Sequence, residues 1–131
     1  MPRMKRFPEW MRIKQRLDDA SKEPPLVSER DMWWISFGEN IGAEIYGKGE
    51  LFTRPGIVIR KFSNGFYLVA PTTSQRHEGV WFTPIILNGV SMVVCLHHIR
   101  AVDYRRFSTK IGQMNEAEFQ KVKNAFNKLY R

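Results

Sequence analysis

Apolar residues along the chain change period twice. In "PEWMRIKQRLDDA", residues 8–20, Trp10, Ile13 and Leu17 fall three and seven positions apart, the stripe of a short amphipathic helix. Pro8 suits its first turn, where a missing N–H is no loss. "KEPPLVSERD", residues 22–31, breaks that period, because Pro24 and Pro25 force extended backbone. From residue 32 the pattern tightens to runs of strand formers: "MWWISF" (32–37), "GIVIRKF" (56–62), "GFYLVAP" (65–71), "VWFTPII" (80–86) and "VSMVVCL" (90–96), with a short strand near 100–103. Asn64-Gly65 and Asn88-Gly89 each join two of these runs, and both pairs suit a type I′ hairpin turn. Pro84 within a run marks an edge strand or a bulge. The 3.6 period returns at the end. Asn115 and Glu118 form a capping-box pair, and Phe119, Val122, Phe126 and Leu129 make one stripe. The expected architecture is mainly β with α: residues 1–30 as an N-terminal helical extension and linker, and residues 31–131 as a small antiparallel β-barrel domain whose open side is covered by a C-terminal helix.

Composition narrows the function. The chain of 131 residues is 43% hydrophobic, enough for a core. Its net charge of +8 is spread along the chain rather than gathered in a tail, which favours polyanionic partners. Cys95 is the one cysteine, so no disulfide staples the fold and a cytoplasmic protein is expected. No apolar run approaches the roughly 18 residues of a membrane helix, and no apolar N-terminal stretch suggests a secretion signal. No Cys/His spacing suggests zinc, so no metal site is expected.

Two corners draw attention. Arg54-Pro55 opens the strand at 56–62, and "APTTSQ" (70–75) closes the next one. If they meet, a guanidinium and several hydroxyls share one site, a combination suited to phosphate. Proline fixes the corner and so lowers the cost of ordering Arg54. Trp33, Trp34, Trp81 and Phe82 are candidate base-stacking rings, with alternation sending one of each pair inward. Arg60, Lys61, Arg76, Arg100, Arg105 and Arg106 are candidate backbone contacts.

The ordered series "WW", "GAE", "RPGIVI", "VAPTTS" and "KIG" before the last helix resembles the MazF/PemK family of toxin endoribonucleases. The resemblance covers roughly residues 30–131. It implies an SH3-like barrel of the MazF/PemK/CcdB type, a homodimer carrying single-stranded RNA across its dimer face, and neutralisation by a cognate antitoxin. It also implies metal-independent, sequence-specific cleavage of single-stranded mRNA by 2′-OH attack, without a cofactor, leaving 2′,3′-cyclic phosphate and 5′-OH ends. Arg54 and Thr73 match the family's catalytic arginine and threonine, and Glu44 matches its "G-x-E" glutamate. Thr72, Ser74, Gln75 and Arg76 surround that corner as substrate-binding candidates.

"LHHIR", residues 96–100, departs from the family pattern. Histidine titrates near neutrality and is the usual acid or base for RNA transesterification. His97 is therefore a third catalytic candidate, and on a strand only one of His97 and His98 would face the RNA. The competing reading is a non-catalytic RNA- or protein-binding module on the same barrel, including a gyrase-poison-like toxin. A further reading makes the Trp10 stripe a docking surface for a partner helix.

Overall fold

The alternation becomes seven strands in the computed structural model, which describes residues 3–131. Helix α1 (Phe7–Asp19) precedes β1 (Asp31–Ser36), β2 (Thr53–Ser63), β3 (Phe66–Thr73), β4 (Phe82–Leu87), β5 (Val90–Cys95), β6 (Arg100–Asp103) and β7 (Phe107–Gln113), and α2 (Glu116–Leu129) ends the chain. All pairings are antiparallel. The strand order is β4-β5-β3-β2-β1-β7, with β6 beside β3. Strand β3 serves both neighbours on one edge, pairing Phe66–Val69 with β6 and Thr72–Thr73 with β5. The hydrogen-bonded path ends at β4 and β7. The chain therefore forms an antiparallel sheet that does not close into a hydrogen-bonded barrel.

Both faces of the sheet are buried, because β1–β3 are apolar at odd and even positions alike. Met32, Ile57, Ile59 and Ala70 pack with β4, β5 and the α2 stripe in one core. Trp33, Ile35, Val58, Tyr67 and Val69 form the other, with Val102 and Phe107. Within the "WW" pair Trp33 is buried and Trp34 exposed, as alternation requires. Pro84 does lie on an edge strand, since β4 pairs with β5 alone.

Three local expectations need correction. Asn88 and Gly89 both take positive φ, but at the first hairpin Gly65 does and Asn64 does not, so that turn is not type I′. Asn115 caps α2 by accepting the Glu118 N–H at 2.8 Å, yet Glu118 does not return the bond. Its carboxylate instead accepts the Ile86 N–H at 2.9 Å, tying the helix to the β4 edge. Leu96–His98 form a 3₁₀ turn rather than the end of a strand.

Helix α1 docks through its stripe. Trp10 is 5% exposed, while Ile13 and Leu17 are half-buried. The indole lies against Gly38, where an added Cβ would come within 2.3 Å of the ring, and 5.4 Å from the Phe52 ring. Replacing a buried Trp by Ala typically costs about 3–5 kcal/mol. Trp10→Ala is expected to release α1, read as fast amide exchange over residues 7–19 while β1–β3 stay protected. Retained protection in α1 would show that other contacts hold it.

Candidate functional site

The pairing of β2 with β3 brings the two corners together. Gly56 faces Pro71 in that register, and the Thr72 hydroxyl donates to the Pro55 carbonyl at 2.8 Å. Carried to the strand ends, the same register sets Arg54 opposite Thr73. Both line a cavity of about 230 Å³ with Gln75, His77, His97 and His98. Arg54, Thr73, Gln75 and His97 thus share one pocket. Thr72 and Ser74 line an adjoining groove of about 590 Å³, together with Arg54, Thr73 and the exposed Trp34. Arg76 lies beyond, beside Ser74 and His77. Glu44 lines a further hollow with His97, His98 and Arg100.

Arg54 is 9% exposed, and among the described residues no carboxylate pairs with it. Its Nε donates to the Tyr46 carbonyl, and its guanidinium carbon lies 4.9 Å from the Tyr46 ring centroid. Burial pushes this group below the ordinary arginine range, with the nearby Arg3 adding to that, though it stays charged at neutral pH. A buried cation without a counterion, facing a pocket, makes an anion site. The Thr73 hydroxyl accepts the Gln75 N–H at 3.2 Å and keeps its own proton to donate. Thr72, by contrast, is buried with its hydroxyl committed to backbone.

The 3₁₀ turn changes the histidine reading. On a strand one ring would turn away, but here both line the Arg54 pocket, with ring centroids 4.2 Å apart. Burial lowers the pKa of His97, and the charge of His77 lowers it further. His98 is lowered by burial first, then by His97 and Arg54, against an opposing pull from Glu44. Both shifts favour the neutral ring at pH 7, the form that accepts a proton. Glu44 itself accepts the Ile41 N–H at 2.9 Å, which folds the β1–β2 loop, residues 37–52, on itself.

Sequence reasoning missed His77, Tyr46 and Lys48, all on the pocket wall. His77 stacks on Phe82 at 4.8 Å, and Phe82 meets His97 edge-on at 5.0 Å, so a row of rings lines one side. Its signal was present, since His77 follows the Thr73 corner by four residues. Cys95 also touches the pocket, but burial, its largest influence, raises its pKa and keeps the thiol protonated. Among the described residues no cluster of His, Cys, Asp and Glu could hold a metal ion. No helix there is long and apolar enough to cross a membrane.

A buried arginine at the start of β2, unpaired among the described residues, thus shares a pocket with the Thr73 hydroxyl from β3 on an antiparallel sheet. The profile of the family described as "PemK-like, MazF-like toxin of type II toxin-antitoxin system" matches residues 28–130, and the chain belongs to that family. Among solved structures it is similar to MazF from Deinococcus radiodurans, with 22% identity, a TM-score of 0.66, and coverage of 80% of this chain and 96% of that one. A MazE-MazF structure from the same organism is 19% identical with a TM-score of 0.59, covering 80% and 95%. An endoribonuclease in complex with its cognate antitoxin from Mycobacterial species is 10% identical with a TM-score of 0.60, covering 79% and 93%. These similarities concern the fold. No curated protein matches the chain in sequence.

Proposed function

We propose that this toxin is a metal-independent endoribonuclease that cleaves single-stranded RNA by 2′-OH attack. The observation that carries the reading is Arg54, a buried guanidinium with no counterion among the described residues, in one pocket with Thr73 and His97. A phosphodiester supplies the missing negative charge, and the guanidinium's free Nη donors match two of its oxygens.

The roles follow from charge. The 2′-oxygen attacks phosphorus as its proton passes to the neutral His97 imidazole. Arg54 and the Thr73 hydroxyl stabilise the charge that grows on the non-bridging oxygens. The P–O5′ bond then breaks, giving a 2′,3′-cyclic phosphate, and the departing oxygen takes a proton from water to become the 5′-OH, while His97 gives the proton it gained back to solvent. The adjoining groove offers Trp34, 41% exposed, as a surface on which a base can stack. Glu44, Thr72, Ser74, Gln75 and Arg76 ring these hollows and are assigned to substrate placement, Thr72 by buttressing the corner. A cytoplasmic homodimer and a cognate antitoxin belong to the same reading. It extends what the similar solved complexes pair with to this chain.

Single-stranded RNA incubated with the protein in excess EDTA should be cut, and a substrate carrying 2′-deoxy at the cut site should not. Cutting of that deoxy substrate would overturn the mechanism. RNA that binds yet stays intact would favour the non-catalytic binding module.

A further inference from the structure

The contacts of residues 3–10 converge on the β1–β2 loop, the segment that holds Arg54. Both Nη groups of Arg3 donate to the Glu39 carboxylate, Nη1 to Oε2 at 2.9 Å. The Arg6 N–H donates to the same Oε2 at 2.9 Å. Glu39 is buried, and the Arg3 hydrogen bonds lower its pKa to about 2, against the cost of burial. Lys5 donates to the carbonyl of Asn40, whose side chain ties Phe37 and Ile45 together at 3.0 and 2.6 Å. The Arg6 guanidinium sits 4.0 Å from the Phe52 ring and donates to the Gly49 carbonyl at 3.2 Å. The loop is thus gripped near its start, its end and its middle.

The grip reaches the site through Tyr46. The Arg3 guanidinium lies 3.5 Å from the Tyr46 ring centroid, and that residue carries the carbonyl bonded to Arg54 Nε. Among the described residues this carbonyl is the one hydrogen-bond partner of the Arg54 side chain. If the loop drifts, the guanidinium loses its seat. A misplacement of about 1 Å in such a site costs roughly 10²-fold in rate.

We propose that the N-terminal segment, through the Arg3–Glu39 pair, is a positioning brace for Arg54. The bracing segment lies before residue 28, where the family profile begins, and its anchor Glu39 lies within the profile. Its effect on catalysis rests on the ribonuclease reading, but its effect on Arg54 does not. Arg3 and Glu39 are positioning residues, since neither lines the Arg54 pocket.

The test compares wild type with Arg3→Ala, Arg3→Lys and Glu39→Gln. Arg3 is partly exposed, so its variants should fold even if the change at buried Glu39 does not. Exchange of the Arg54 Nε–H is followed by NMR, its signal identified by loss in Arg54→Lys. Exchange is expected to speed at least about tenfold in Arg3→Ala, less in Arg3→Lys, which keeps the charge but loses the fork. Single-turnover cleavage at saturating RNA should fall roughly 10- to 100-fold. Affinity for RNA with 2′-deoxy at the cut site should hold, and Arg3→Ala with Glu39→Gln should be no worse than either alone. Unchanged Arg54 exchange overturns the brace. So does a rate loss that appears entirely as weaker RNA binding, which would make Arg3 an RNA contact. If wild type binds RNA and never cuts it, the ribonuclease reading fails, and Arg54 exchange alone decides the brace.

Discussion

Arg54→Ala is expected to slow single-turnover cleavage of single-stranded RNA by roughly 10³-fold, about 4 kcal/mol of transition-state stabilisation. The magnitude follows from where the group sits. It is buried, so little water competes for its charge, and among the described residues no carboxylate cancels it. Its Nε is spent on the Tyr46 carbonyl, which leaves the Nη groups for substrate. Arg54→Lys should recover little, because an ammonium cannot both hold Tyr46 and donate a pair of parallel bonds. Stability should move the opposite way from activity. A buried cation without a partner is a cost to the fold, so Arg54→Ala should melt at or above the wild-type temperature. Slowed cleavage with an intact or raised melting temperature would place Arg54 in the chemistry. Slowed cleavage with a collapsed melting temperature would make it a structural residue instead, and unchanged cleavage would move the site elsewhere.

The same burial explains which parts of this protein could be read from its residues. Strands β1–β5 announced themselves because strand formers fill them, on two buried faces in β1–β3 and on one in β4. β7 did not. Its sequence "FSTKIGQ" buries only Phe107 and runs mostly exposed along the edge of β1, so no apolar period marks it. The Arg54–Thr73 meeting was legible as two corners on paired strands, since an Asn-Gly turn fixes which strands pair. The shared exposure of His97 and His98 was not. "VVCLHHI" reads as a continuing strand, and no period in it marks the 3₁₀ turn at Leu96–His98, where Leu96 is buried in the core and both rings line one pocket. The role of residues 3–10 was equally hidden. Arg3, Lys5 and Arg6 look like a solvated basic start, and their partners Glu39 and Asn40 lie over thirty residues away. Local patterns report helices and hairpins; a charge pair that closes a loop at that separation leaves no period.

His97→Ala is expected to lower the cleavage rate by roughly 10²–10⁴-fold, the range for a positioned general base. The pH profile makes the assignment specific. A base works in its neutral form, so the rate should rise with pH through the histidine pKa and level off above it. His97 is depressed by burial and by His77, so the rise should be centred below the ordinary histidine value near 6.5. His77→Asn removes one of those influences. The His97 pKa then climbs, and the acid limb of the profile should move to higher pH. Glu44→Gln acts on the other ring. It removes the one negative charge that supports protonation of His98, so any limb owned by His98 would move to lower pH. A limb that follows His77 and ignores Glu44 identifies His97 as the base. A limb that follows Glu44 and ignores His77 transfers the role to His98, which stands 4.2 Å away in the same pocket. A rate that falls as pH rises through this range would mean the protonated ring is the working form, and would overturn the base assignment for both.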